Sequence, residues 1–396
     1  MLDVTKPMTQ TPLKDRASDG SPHSRPGVSP PGSGAEREQA AGPRAGAVGA
    51  VELKPVPGRA LFEATRPFAA EFRVRSWLEV LATLGVLLLG MVAGAVAPWW
   101  PVQLAGSVVG ALMLVRAFIL FHDFMHGSLL RKSRSAKALF TLVGLVMLSP
   151  PRYWRQTHNY HHGHVGKPNK PDGDDKPLLV ISDIGSFPLM TTESWQRASA
   201  WQKLRYRVLR HPLTIMFAGV TVFMFGLTLR PTLQNPRKYW DGAVALLLHA
   251  VVITGLWLFL GASAAFFGFV LPFALAAMLG AYLFYAQHNY EGMHVHEPEE
   301  WTYYRGAVES SSYMKLNGLM DWFTGNIGYH HIHHLNPLIP FYRLPEVMKA
   351  LPELQHPSMT SLSPQEVTKC LSLNLWDPKE NRLVGYGAAK RGRSGT

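Results

Sequence analysis

Three histidine clusters, each set beside an apolar run, constrain this chain more than any other feature of its 396 residues. They read His122-Asp-Phe-Met-His126, His158-Asn-Tyr-His161-His162 and His330-His331-Ile-His333-His334, and a separate His288 follows a long apolar stretch. Together they hold ten of the seventeen histidines. Residues three and four apart share a helix face, so HxxxH presents two imidazoles together and HxxHH presents three. Imidazole suits iron, zinc and copper. The pattern describes a metal site built at the ends of hydrophobic helices.

Charged residues make up only 17% of the chain, against roughly 25% in ordinary soluble proteins. The deficit is local, in uncharged stretches long enough to cross a bilayer. The expected fold is an all-α membrane protein: four transmembrane helices in two hairpins, interfacial helices, and a cytoplasmic helical cap holding a di-iron centre. The formal net charge of +12 fits the basic cytoplasmic side of a membrane protein and its anionic lipids. No nucleic-acid motif accompanies it, so nucleic acid is not an expected partner. One cysteine, Cys370, excludes an internal disulfide and a thiolate-rich metal site.

Residues 1–52 are rich in Pro, Gly, Ser and Ala and nearly free of aromatic side chains, the composition of a disordered cytoplasmic tail. No apolar signal-peptide core stands near the start. A membrane domain is expected over 53–373, with spans at about 80–97, 102–121, 242–260 and 262–286, and a basic C-terminal tail over 374–396. Two further apolar runs, 138–148 and 212–229, need separate treatment.

Parity settles them. If one centre gathers all the clusters, an even number of crossings separates each from the next. The run 138–148 falls well short of a roughly 30 Å hydrocarbon core at about 1.5 Å per residue and is read as interfacial or re-entrant. The run 212–229 lies between Arg205, Arg207 and Arg210 on one side and Arg230 on the other, and is read the same way. Charge agrees independently. The links 98–101 and 261–263 carry no charge, whereas the histidine side carries Arg131, Lys132, Arg134, Lys137, Arg152 and Arg155. By the positive-inside rule the histidines are cytoplasmic.

Within the third cluster only one register gives HxxHH, namely His330, His333 and His334, which leaves His331 pointing elsewhere. His288 adds a ninth nitrogen to His122, His126, His158, His161 and His162. Nine neutral ligands suit two metal ions of four to five ligands each. Asp123 is placed to orient a ligand imidazole, as carboxylates commonly do. His249, mid-span, reads as a hydrogen-bonded core residue. His164, His294 and His296 read as loop residues near the site, and His23, His211 and His356 as surface. Zinc rarely uses so many histidines. Ligand number and membrane location favour a pair of irons (Fe2+/Fe3+) activating O2 against an unactivated C–H bond, although residue types alone do not separate iron from zinc.

The clusters, in this order and with paired spans between the second and third, resemble those of the membrane fatty acid desaturases. The stretch Gly325 to Pro337 with Ile339 to Leu344, and the stretch Tyr153 to His162, are similar to the bacterial, cyanobacterial and plant omega-6 (delta-12-type) acyl-lipid branch. The likeness covers roughly residues 75–355. It implies an enzyme that uses O2 and two electrons to place a cis double bond in a lipid-linked acyl chain, with the nine histidines above as ligands. Asn326, four positions before His330, becomes a candidate partner of that ligand. The resemblance also implies a bacterial inner-membrane location and a separate electron donor of ferredoxin or flavoprotein-reductase type, because the chain carries no flavin or dinucleotide fingerprint. The sequence leaves the oligomeric state unassigned. The first cluster, His122 to Gly127, is similar as well to carotenoid ketolases and hydroxylases of the same superfamily, so a lipid or carotenoid hydroxylase or ketolase is the alternative. A membrane metal transporter is a remote third, disfavoured because transporters place polar ligands near mid-membrane.

Overall fold

The computed structural model describes residues 58–167, 187–297 and 299–388. The tail expected over 1–52 and the end of the C-terminal segment lie outside the described residues. Among the described residues four helices are long and apolar enough to cross a membrane: Arg73–Val96, Trp100–His126, Trp240–Leu260 and Ala262–Gln287. They form two hairpins. Pro101 sits in the first turn of the second span, where a missing N–H costs nothing. Gly261, at φ 93°, makes the sharp link between the third and fourth spans.

The first span starts at Arg73 and the second runs on to His126, so both extend past the expected 80–97 and 102–121. Hydropathy marks only the lipid-crossing part of a helix, whereas its hydrogen bonding continues into the cap. What stops the second span is Gly127, at φ 82°, whose N–H meets the carbonyls of Asp123 and Phe124. The two spans touch through small residues. A Cβ added at Gly106 would lie 2.7 Å from the Gly90 carbonyl oxygen, so the backbones meet where only glycine fits. The second span is 67% buried inside the protein and the third only 11%, which makes the second the core of the bundle and leaves the third to face lipid.

The run 138–148 belongs to a 13-residue helix, Arg134–Val146, started by the Ser133 side chain accepting from Ala136 N–H. At about 1.5 Å per residue it is near 20 Å long and cannot cross. The run 212–229 breaks into a short helix Pro212–Met216 and an 11-residue π-helical stretch Gly219–Leu229. The π-helical stretch runs straight on into the helix Arg230–Gln234, and at about 1.5 Å per residue or less the two together stay short of a roughly 30 Å hydrocarbon core.

Short strands tie the C-terminal segment to the cap. Met190–Thr191 pairs parallel with Leu375–Asp377, which pairs antiparallel with Arg382–Val384. Tyr313–Lys315 pairs parallel with Met359–Ser361. Residues 374–388, at the start of the segment expected as a basic tail, are packed structure, with Leu375 fully buried. Strands of two or three residues are too short for an alternating pattern to announce them.

Candidate metal centre

Each cluster sits where the fold ends a helix or builds a short one. His122 and His126 occupy the last turn of the second span. His158, His161 and His162 lie on the helix Pro151–His164. His288 follows the last residue of the fourth span. The third cluster forms a six-residue helix, His330–Leu335. Its one non-histidine within the cluster, Ile332, is fully buried in a core with Leu335, Ile339, Leu344, Val347 and Leu354. That core holds the helix while the opposite face carries the imidazoles.

All nine singled-out histidines converge, and they divide into two groups. His122, His126, His158, His162 and His333 form one; His161, His288, His330 and His334 form the other, with the ligand atoms inside each group within 4.8 Å of one another. In the first group Nε2 of His158 lies 3.1 Å from that of His126 and 3.1 Å from that of His162, and His333 lies 3.2 Å from His162. In the second, His288 lies 3.0 Å from His161 and 2.8 Å from His330, and His334 lies 3.1 Å from His330. The His162 and His334 rings stack at 4.1 Å between the groups.

The division follows helix geometry. Pairs four apart (122/126, 158/162, 330/334) stay in one group. The middle histidine of each HxxHH crosses over: His161 joins the second group and His333 the first. Each triplet therefore serves both groups and locks their spacing.

Nitrogen pairs near 3 Å are the edges expected around an ion with metal–nitrogen bonds of about 2.1 Å. The protonation pattern fits as well. Nδ1 of His122 faces Asp123 Oδ1 at 3.2 Å and Nδ1 of His288 faces the Ser310 carbonyl at 3.1 Å. Donation from Nδ1 leaves Nε2 as a bare lone pair turned into the group. Burial, reinforced by neighbouring imidazoles, holds His158, His161, His162, His330, His333 and His334 well below the usual histidine range. Burial takes His288 down to about 4. Neutral, convergent imidazoles with no thiolate or carboxylate among them suit a late first-row metal such as iron.

The remaining candidates fall elsewhere. His331 turns away, its Nε2 at 3.1 Å from the Leu354 carbonyl. His249 bonds the Ala245 carbonyl at 3.0 Å, mid-span, edge-on to Phe269 and Phe273. His164 stacks on Tyr160, His296 lies 3.3 Å from Glu309, and His211 caps a helix by accepting from Leu213 N–H. None of these joins either group.

Asp123 bridges: one oxygen faces His122 and the other accepts from Phe341 N–H at 2.8 Å. Asn326 does not reach His330. It lies in a turn at φ 54°, outside the helix, and donates to the Phe341 carbonyl at 3.2 Å. Its side chain is linked to the centre through the Phe341 peptide and Asp123.

Two residues escape sequence reasoning. Trp154 stacks on His158 at 4.3 Å; its position four before a candidate ligand on the same helix is a signal that could have found it. Arg210, read as a flank of an interfacial run, is buried. Its guanidinium bonds the Pro188 carbonyl at 2.9 Å, the Tyr285 hydroxyl at 2.9 Å, the Leu373 carbonyl at 2.8 Å and the Asn289 side chain. It thereby clamps both sides of His288.

The model of the fatty acid desaturase family matches residues 97–362, which include every histidine of both groups. A fatty acid desaturase of Bacillus subtilis is 32% identical over 294 residues, covering 72% of this chain and 78% of the relative. An sn-1 oleoyl-lipid 12-desaturase of a Synechocystis species is 22% identical over 286 residues, 68% of this chain and 74% of the relative. An endoplasmic-reticulum omega-3 fatty acid desaturase of Nicotiana tabacum is 26% identical over 267 residues, 64% and 63% of the two chains.

Proposed function

This chain belongs to the fatty acid desaturase family, and we propose on that footing that it is an acyl-lipid desaturase with a two-iron centre, of delta-12-like type. The observation that carries the reading is the convergence of nine imidazoles into a group of five and a group of four. One iron would be held by His122, His126, His158, His162 and His333, and the other by His161, His288, His330 and His334. Bound iron supplies the oxygen activation that no amino-acid side chain provides. The overall reaction consumes one O2, two electrons and two protons, takes two hydrogens from a CH2–CH2 pair, and yields one cis CH=CH and two waters.

The protein's own part is placement. Asp123 fixes the His122 ring, Ser310 fixes His288, and Trp154 covers the His158 face. The buried cap around the second span keeps water from the reacting carbons. Basic residues on the cluster side, among them Arg131, Lys132, Arg134 and Lys137, support a cytoplasmic active site in a bacterial inner membrane, reached by electrons from a separate reductase or ferredoxin.

Expression in a host that lacks the product, followed by fatty-acid analysis with double-bond localisation, tests this reading. A new cis double bond supports it; its absence in iron-replete cells making the protein removes it. An added oxygen would instead favour the hydroxylase or ketolase reading that His122 to Gly127 suggests. Phe124, one of the residues behind that suggestion, stacks on Phe140 at 4.9 Å and is used in packing. The transporter reading is set aside by the family.

A further inference from the structure

Outside the two histidine groups lies a cavity of about 330 Å3 with a mixed polar and apolar lining, its polar wall made by Arg75, Glu79, Arg116, Asp321, Asn326 and Tyr342. Ligand cavities run from roughly 300 to 1,000 Å3, and this one suits a small polar group. Its charges are unevenly satisfied. The buried Arg116 is spent within the protein, on the Glu79 carboxylate, the Thr83 hydroxyl at 3.1 Å and the Trp322 carbonyl.

Two further charges are less fully met. Arg75 is half exposed, lies over the Tyr342 ring at 4.4 Å, and approaches Glu79 only to 3.7 Å. Asp321 has its Oδ1 buried with no hydrogen-bond partner among the described residues. Burial pushes its carboxyl up, with no cation beside it to pull it down. A carboxylate in that position is stabilised by an incoming cation. The cavity thus offers one cation and one anion to a ligand that carries the opposite pair.

Its depth identifies the ligand further. Arg75 and Glu79 belong to the opening turns of the first span. On the short helix Gly318–Phe323, Leu319 and Trp322 are exposed, and tryptophan favours the lipid–water boundary. The cavity therefore opens at headgroup level. It is also close to the centre, because the Phe341 that lines it bonds Asp123, the partner of His122.

We propose that this cavity binds the headgroup of a zwitterionic phospholipid of the ethanolamine type, with Asp321 receiving the ammonium and Arg75 the phosphate. The inference rests on the acyl-lipid reading and names the carrier of the acyl chain.

The test is native mass spectrometry of the full metal-loaded chain, delipidated in detergent and offered equal amounts of dioleoyl phosphatidylethanolamine and dioleoyl phosphatidylglycerol. The expected result is several-fold greater retention of the ethanolamine lipid. Asp321→Asn removes that preference, Asp321→Glu keeps it, and Arg75→Gln lowers retention of both lipids alike; unchanged iron content shows that each variant is folded. Equal retention by the wild-type chain, a preference for the glycerol lipid, or a preference that survives Asp321→Asn overturns the proposal. A preference for the ethanolamine lipid in a chain that makes no double bond upholds the site and removes the catalytic reading. Double bonds made equally in both lipids, with no retention bias, do the reverse.

Discussion

His158 and His161 stand three residues apart on one helix and belong to different histidine groups: Nε2 of His158 meets His126 at 3.1 Å, and that of His161 meets His288 at 3.0 Å. The same crossing recurs between His330 and His333. Two short helices therefore each set the distance between the two groups.

Single substitutions should separate the groups. His161→Ala reduces the four-histidine group to three donors, and His333→Ala reduces the five-histidine group to four. Both abolish desaturation, but iron content falls toward half in His161→Ala and less in His333→Ala. Metal analysis of the purified variants decides; equal iron loss would show that the two groups do not load independently.

His331→Ala should behave differently from its neighbours. It leaves the Leu354 carbonyl without its partner and costs about 1–3 kcal/mol of stability, while iron content and turnover stay near wild type. A loss of iron comparable to that of His333→Ala would place His331 inside the centre.

Asp123→Asn keeps the side chain's size but weakens the hold on His122. Loss of such a partner typically costs about 10–100-fold in metal affinity, read by competition with a chelator. Asn326→Ala acts one peptide further away, through Phe341, and should give a smaller change in the same direction.

The metal-free protein should lose stability as pH falls. Burial holds His288 and His331 at about 4 against an ordinary 6.5. Between those values the unfolded chain binds protons that the folded chain refuses, so acidification favours unfolding by up to about 1.4 kcal/mol per pH unit and group. The contribution is complete above pH 6.5 and lost toward pH 4. Thermal melts of metal-stripped protein from pH 8 to 5 check this; a flat profile would mean that these imidazoles titrate freely.

Gly106→Leu should uncouple the first hairpin. The new side chain begins 2.7 Å from the Gly90 carbonyl oxygen, and overpacking of this kind costs about 1–3 kcal/mol or more. Proteolysis of the purified variant in detergent, compared with Gly85→Leu where an added Cβ meets nothing within 4 Å, measures it.

Much of the architecture was legible because membrane helices and histidine boxes both write periodic signals. The four spans follow from length and lack of charge, and the orientation of His331 follows from register. What was hidden needed the third dimension. The exchange of His161 and His333 between groups depends on how two short helices cross. Arg210 looked like an interfacial flank because its partners, Pro188, Tyr285, Asn289 and Leu373, are remote in sequence. Asn326 was misplaced because a left-handed turn, and not a helical one, precedes His330. The strands at 375–377 and 382–384 are too short to carry a pattern.

The second group draws His161, His288, His330 and His334 from three distant stretches of chain, with the final pair arriving only after both hairpins have been made. A nascent chain that has reached residue 300 has four of five nitrogens for one group and two of four for the other. Neither group is complete before His333 and His334 have been made. The two donor sets therefore close together and late, one residue apart in the chain, after both hairpins exist.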